Sequence, residues 1–200
     1  PSFFAYLEMP FINKFESKKN LSNYLKEEKF IESNDPAVVE ITRHFNAKNK
    51  TDLVKQIYDF VISNMTFEMQ KEEKGALFAL NNKKGRCMEY SALFIALCRA
   101  SGLPARQIYG YNPLERSILH AWAEVYLENI GWVPFDPTSN CIEEGKSTFN
   151  NFANNYVYLS FKKKDDILVE NKFDYAEIND IKKIRVRSDI GFYLLIFKYD

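Results

Sequence analysis

Gly85-Arg86-Cys87-Met88-Glu89-Tyr90 is the point where a polar turn gives way to a long apolar run. Asn81, Asn82, Lys83, Lys84 and Gly85 read as a loop, and Met88 through Ala100 contains no Gly or Pro ahead of the helix stop at Gly102 and Pro104. Met88, Ala92, Leu93, Phe94, Ile95, Ala96 and Leu97 make this helix apolar nearly all round, which predicts a central, buried element. Cys87 therefore falls at the N-terminus of a rigid support. The first N–H groups of a helix are unpaired and its dipole adds partial positive charge there, which favours a thiolate, the reactive form. Taken singly, a free cysteine more often packs than reacts, so the rest of the chain has to decide.

Upstream, Ser33-Asn34-Asp35-Pro36 is a helix start with Pro near the first helical position, and Val38, Val39, Ile41, Thr42 and Phe45 supply an apolar face. Thr51-Asp52 starts a second helix, in which Leu53, Val54, Ile57, Phe60, Val61 and Met65 recur at three- and four-residue steps. Leu21 to Lys29 reads as a short helix, and Pro1 to Phe15 as an aromatic-rich stretch broken by Pro10. The expected organisation is an extension over 1–32 packed on a core domain over 33–200. His44 has no second ligand at metal-binding spacing and reads as a surface or partly packed histidine.

Downstream, Leu103 to Tyr111 reads as a connection and a strand, with Arg106 as an ion-pair residue supporting the fold. In Leu119-His120-Ala121-Trp122-Ala123-Glu124-Val125-Tyr126-Leu127 small and aliphatic residues alternate with His, Trp, Glu and Tyr, the period of a strand. Trp132-Val133-Pro134-Phe135-Asp136-Pro137-Thr138 is its returning partner, with Pro134 at an irregular or edge position. A turn centred near Glu128 and Asn129 places Asp136 opposite His120 or Ala121, whereas one centred on Ile130 and Gly131 separates them by ~13 Å. The first register is the expected one. Alone, His120 would more often be packed or solvent-facing, and Asp136 before Pro137 a turn former. Beyond it, Cys141 reads as loop-borne, Ser147 to Asn155 as a polar connection, Lys162 to Asp166 as a solvated turn, and Tyr156 to Phe161, Ile184 to Val186 and Phe192 to Tyr199 as strands. The C-terminal half should be mainly antiparallel sheet.

Composition narrows the partners. Lys and Arg total 27, Asp and Glu 27, so no global field attracts nucleic acid or an anionic membrane. A 46% hydrophobic and 27% charged composition belongs to a globular chain. No stretch reaches the ~18 apolar residues of a membrane span. Cys87, Cys98 and Cys141 form no CxxC pair, which argues against a zinc ribbon or a disulfide framework. Cys87 and Cys98 lie ~16 Å apart along the predicted helix, too far for a bridge. The cytoplasm is favoured, with a removed N-terminal signal left open by a chain that begins at Pro1. The sequence does not fix the oligomeric state.

A Cys at a helix start, a His on a strand and an Asp on the next is the set that thiol acyl chemistry requires. The His shares the thiol proton, the Asp fixes the imidazole tautomer, and the thiolate attacks a carbonyl to form a thioester. The Cys87 backbone N–H is one oxyanion donor; the sequence assigns no second.

These motifs, together with Ser101-Gly102-Leu103-Pro104-Ala105-Arg106 and Gly110-Tyr111, resemble the transglutaminase-like superfamily over roughly Ser33 to Thr138. The resemblance implies a papain-like α+β fold, N-terminal helices with the nucleophile helix packed on a mainly antiparallel sheet, and a Cys87-His120-Asp136 triad. Animal transglutaminases add further domains and calcium dependence. This chain has neither the length for those domains nor an Asp-x-Asp calcium loop, and no Trp precedes Cys87 to support the oxyanion. The paired cysteines of the peptide N-glycanase zinc site are absent too. The nearer resemblance is a compact microbial-type member, a cysteine peptidase or amidase acting on a protein or peptide with no cofactor and no metal. Acyl transfer to an amine, and a non-catalytic interaction domain retaining the fold, remain as alternatives.

Overall fold

The computed structural model describes residues 21–111, 120–128, 130–138 and 149, together with strands over 157–161, 173–178, 181–188 and 191–196. The chain divides between Phe161 and Lys162 into two compact units.

In the first unit, helix α1 (Pro36–Thr42) begins where Asp35 accepts from the Ala37 N–H with Pro36 at the first position. It ends at Thr42, short of Phe45. Helix α2 (Lys50–Asn64) starts one turn position earlier than Thr51-Asp52, because Asn49 is the residue that accepts from the Asp52 N–H, while Asp52 in return accepts from the Lys48 N–H. The first bond satisfies one of the helix's orphan donors, and the second ties down the residue ahead of the cap. The short helix expected over Leu21 to Lys29 is one 3₁₀ turn, Ser22–Leu25, stopped by extended backbone at Lys26.

The expected loop before Cys87 is more structured than its composition suggests. Helix α3 (Ala76–Asn82) runs through Asn81 and Asn82 and is closed by Lys83 in the left-handed conformation. Its N-terminus is capped from 44 residues away by Glu32, whose carboxylate accepts from the Ala76 and Leu77 N–H groups. Strand β1 (Thr66–Phe67) then pairs in parallel with β2 (Lys84–Gly85), directly before the helix that begins at Cys87.

Helix α4 (Cys87–Ala100) is buried continuously from Glu89 to Arg99 and packs against α1, α2 and α3 on one side and β3 and β4 on the other. Strands β3 (Ala105–Tyr111), β4 (His120–Leu127), β5 (Gly131–Phe135) and β6 (Val157–Phe161) form an antiparallel sheet in the order β5-β4-β3-β6. Pro134 thus lies on an edge strand, where its missing N–H breaks no ladder. The Arg106 ion pair is present: Nε donates to Glu124 Oε2 at 2.6 Å, both side chains buried, with the guanidinium 4.1 Å from the Trp132 ring. Arg99 fastens the segment before α1 to the end of α4 through the Lys26 carbonyl and Glu28.

The second unit is an antiparallel meander of β7 (Phe173–Ile178), β8 (Ile181–Ser188) and β9 (Gly191–Ile196). Two of the expected strands lie here; β7 was not expected. Pro1 to Phe15, Cys141, most of Ser147 to Asn155 and the Lys162 to Asp166 run lie outside the described residues.

Candidate active site

Cys87 is the first residue of α4 and is half-buried. The turn beneath it is held by Glu89, fully buried two residues on, whose Oε2 accepts from the Arg86 N–H (3.0 Å) and whose Oε1 accepts from the Lys74 N–H (2.8 Å). One carboxylate so caps the helix and ties it to the 68–74 segment, a contribution of about 1 kcal/mol for the cap alone. Gly85 makes room for it: a Cβ there would sit 2.4 Å from Glu89 Cβ. Cys98, by contrast, is fully buried on the same helix, and burial pushes its thiol far up, so it stays protonated.

His120 opens β4 and Asp136 follows β5; both are fully buried, with His120 Nε2 and Asp136 Oδ2 2.7 Å apart. In the hairpin, Leu127 lies across from Gly131 and Ala123 across from Phe135. The same ladder continued would set Asp136 across from Trp122, not His120 or Ala121, so the pair meets diagonally. His120 and Trp122 share a face two residues apart, their rings stacked at 6.1 Å, and a diagonal reach is within what long side chains span.

Asp136 is fixed by more than the histidine. Oδ1 accepts from the Thr138 N–H and hydroxyl (both 2.9 Å), the local turn that an Asp-x-Thr sequence favours. Its backbone carbonyl accepts from the Tyr58 hydroxyl of α2 (3.0 Å). A carboxylate receiving three hydrogen bonds is held as an oriented acceptor. With its Nε2–H donated to that carboxylate, neutral His120 carries its lone pair on Nδ1, the nitrogen equipped to take a proton. The sequence reading missed Thr138, Tyr58 and Glu89 as supports; Asp-x-Thr was the one local signal for any of them. His44 is exposed, as expected. Among the described residues no group of three or more His, Cys, Asp or Glu is placed to hold a metal ion, and no helix is long and apolar enough to cross a membrane.

A cysteine-bearing helix laid across an antiparallel sheet that carries a buried His–Asp pair defines the papain-like α+β class. Solved structures share this fold: a candidate cysteine protease from Cytophaga hutchinsonii has a TM-score of 0.59 at 22% identity, over 74% of this chain and 48% of that one. The periplasmic domain of TgpA from Pseudomonas aeruginosa has a TM-score of 0.51 at 20% identity, over 66% of this chain and 52% of that one.

Residues 39–137 match the Transglutaminase-like superfamily, and the chain belongs to it. Its members are mostly cysteine-dependent enzymes. Curated relatives include YebA of Bacillus subtilis, uncharacterised, at 26% identity over 64% of this chain and 21% of that protein. A Drosophila melanogaster peptide-N(4)-(N-acetyl-beta-glucosaminyl)asparagine amidase is 33% identical over 52% of this chain and 15% of that protein. A Pseudomonas aeruginosa protein-glutamine gamma-glutamyltransferase is 33% identical over 30% of this chain and 11% of that protein. The chain thus spans about a fifth or less of the length of these curated relatives.

Proposed function

We propose that this chain is a thiol hydrolase of amide or peptide bonds, with Cys87 as nucleophile, His120 as acid–base and Asp136 as the group that orients it. The observation that carries the reading is the buried 2.7 Å contact from His120 Nε2 to a carboxylate already fixed by Thr138. A histidine so held has one tautomer and one orientation, as proton transfer to and from a thiol demands. Cys87 sits at the end of a buried helix, where a developing oxyanion finds unpaired N–H groups.

In the reaction, the Cys87 thiolate adds to the substrate carbonyl, and the tetrahedral oxyanion collapses as His120 gives its proton to the departing amine. A thioester remains on Cys87. Water then attacks it, its proton taken by His120, releasing a carboxylic acid and restoring the thiolate–imidazolium pair. An amine in place of water would instead give acyl transfer. The match to an amidase covers more of this chain than the match to a glutamyltransferase, which favours water.

The test is incubation of a glutamine-containing peptide with a labelled amine. The expected result is release of acid in excess of amine incorporation, with Cys87→Ala and His120→Ala each lowering turnover by about 10³-fold or more. Amine incorporation in excess overturns hydrolysis, and turnover retained by Cys87→Ala overturns the enzyme reading in favour of an interaction domain.

A further inference from the structure

The turn that carries Cys87 is joined to the sheet by a polar chain outside the proposed triad. Gln107, midway along β3, is fully buried, and its Nε2 donates to Ser91 Oγ (2.7 Å) and to the Met88 carbonyl (3.2 Å). Ser91, also buried, donates to the Cys87 carbonyl (2.7 Å). At the other end, the Tyr109 hydroxyl donates to Gln107 Oε1 (3.0 Å).

Chemistry fixes the direction of this chain. The Met88 carbonyl can only accept, so the amide nitrogen must face the helix and the amide oxygen must face Tyr109. Tyr109 must then keep its proton. Burial first, then the negative charge of Glu73, Glu28 and ionised Cys87, push its phenol far up, against the opposing effect of Arg86. Every polar atom of the Gln107 side chain is engaged.

The surroundings do not ask for an amide. Ala105 and Ala123, on the same face of the sheet, belong to the apolar core. An apolar residue at 107 would pack there without desolvating polar groups, and buried polar groups that persist in such places are best attested as devices that set register. Apolar surfaces let a helix roll or slide over a sheet; directed bonds of 2.7–3.2 Å to Met88 and Ser91, three residues apart on one helix, do not. The same strand pairs Gly110 with His120. One strand therefore holds the Cys87 turn at residue 107 and the start of β4 three residues later, ~10 Å further along.

We propose that Gln107, anchored by Tyr109, is a positioning residue that sets the Cys87 turn against the strand beginning at His120, and thereby governs the reactivity of Cys87. This rests on the reading of Cys87 and His120 as partners. Its consequence is directional: losing the amide loosens the geometry of the pair and leaves the thiol itself intact.

The experiment is iodoacetamide alkylation of Cys87 across a pH series, read by mass spectrometry, for the unaltered chain, Gln107→Leu, Tyr109→Phe and His120→Ala. In the unaltered chain the expected result is alkylation of Cys87 at about pH 6 that is lost in His120→Ala. Gln107→Leu is expected to lower the rate at about pH 6 by about tenfold or more, yet keep it within about twofold at high pH, where any accessible thiol is ionised. Tyr109→Phe, which removes only the anchor, should lower the rate at about pH 6 by about threefold. A merely structural effect would lower the rates equally at every pH. An unchanged pH profile in both variants overturns the proposal while the catalytic reading stands. If Gln107→Leu does not fold, Tyr109→Phe decides by the same comparison. If the unaltered chain lacks low-pH reactivity, or His120→Ala leaves it in place, the partnership of Cys87 and His120 is overturned and this proposal with it.

Discussion

At the scale of single residues, the turn that carries Cys87 depends on an atom that is absent. Gly85 has no Cβ, and the Glu89 side chain runs through the space where one would be, 2.4 Å from its ideal position. Neither partner can yield easily: Glu89 is held at both carboxylate oxygens, and Gly85 is paired to Phe67 while its carbonyl accepts from the Glu68 N–H. Gly85→Ala is therefore expected to cost about 1–3 kcal/mol, as overpacking does, and to displace Cys87 with it. Urea unfolding measures the first effect and alkylation of Cys87 the second. A variant as stable and as reactive as the parent would mean that the turn adapts. Glu89 carries the opposite kind of dependence: loss of its carboxylate leaves two backbone N–H groups short of their acceptor.

At the scale of elements, α4 shows what burial does to a group that takes no part in chemistry. In the unfolded chain the Cys98 thiol loses its proton above ~8.5, whereas the folded chain retains it to much higher pH. Above that value the unfolded state binds fewer protons than the folded one, so stability falls as pH rises, by about 1.4 kcal/mol per unit. Tyr109 adds in the same sense above about 10. Urea titrations between about pH 8.5 and 10 should show this extra slope in the parent and lose it in Cys98→Ala, whose cavity adds a pH-independent offset. Equal slopes would show that Cys98 titrates normally in the folded chain.

The same helix illustrates which elements a sequence declares. Apolar residues on every side of α4, and strict alternation in β4, are local signals, and both elements lie where those signals put them. The expectation that brought Asp136 to His120 held in its contact but not in its pairing, because a diagonal approach two positions along one face serves as well as a direct one. Helix α3 and the β1–β2 pair were not legible: they are seven and two residues long, and their stabilising partners, Glu32 among them, lie far away in sequence. Gln107 could not have been singled out either, since its meaning lies wholly in the helix it touches.

At the scale of the whole molecule, the expected domain over 33–200 can be set against the division that follows Phe161. We propose that 33–200 acts as the catalytic domain and 1–32 as an extension upon it. Limited trypsin digestion with intact mass measurement distinguishes the cases. A resistant fragment of about 33–200 supports the single domain; early cleavage within Lys162-Lys163-Lys164, leaving a resistant core that ends there, replaces it with the two-unit division. Lys and Arg total 27 along the chain, so the order of cleavage is decisive and their number is not.

The segment between Glu68 and Lys74 is pinned at each end to the Cys87 turn, by the Gly85 carbonyl at one side and Glu89 at the other. Because its ends are fixed and its middle is exposed, it can lengthen at a closure cost of only ~0.6 kcal/mol per doubling. A change of length there leaves both anchoring bonds to the Cys87 turn in place. The capped start of the Cys87 helix is thus separable from the length of the loop beside it, so an insertion after Met69 is expected to leave urea-measured stability within about 1 kcal/mol.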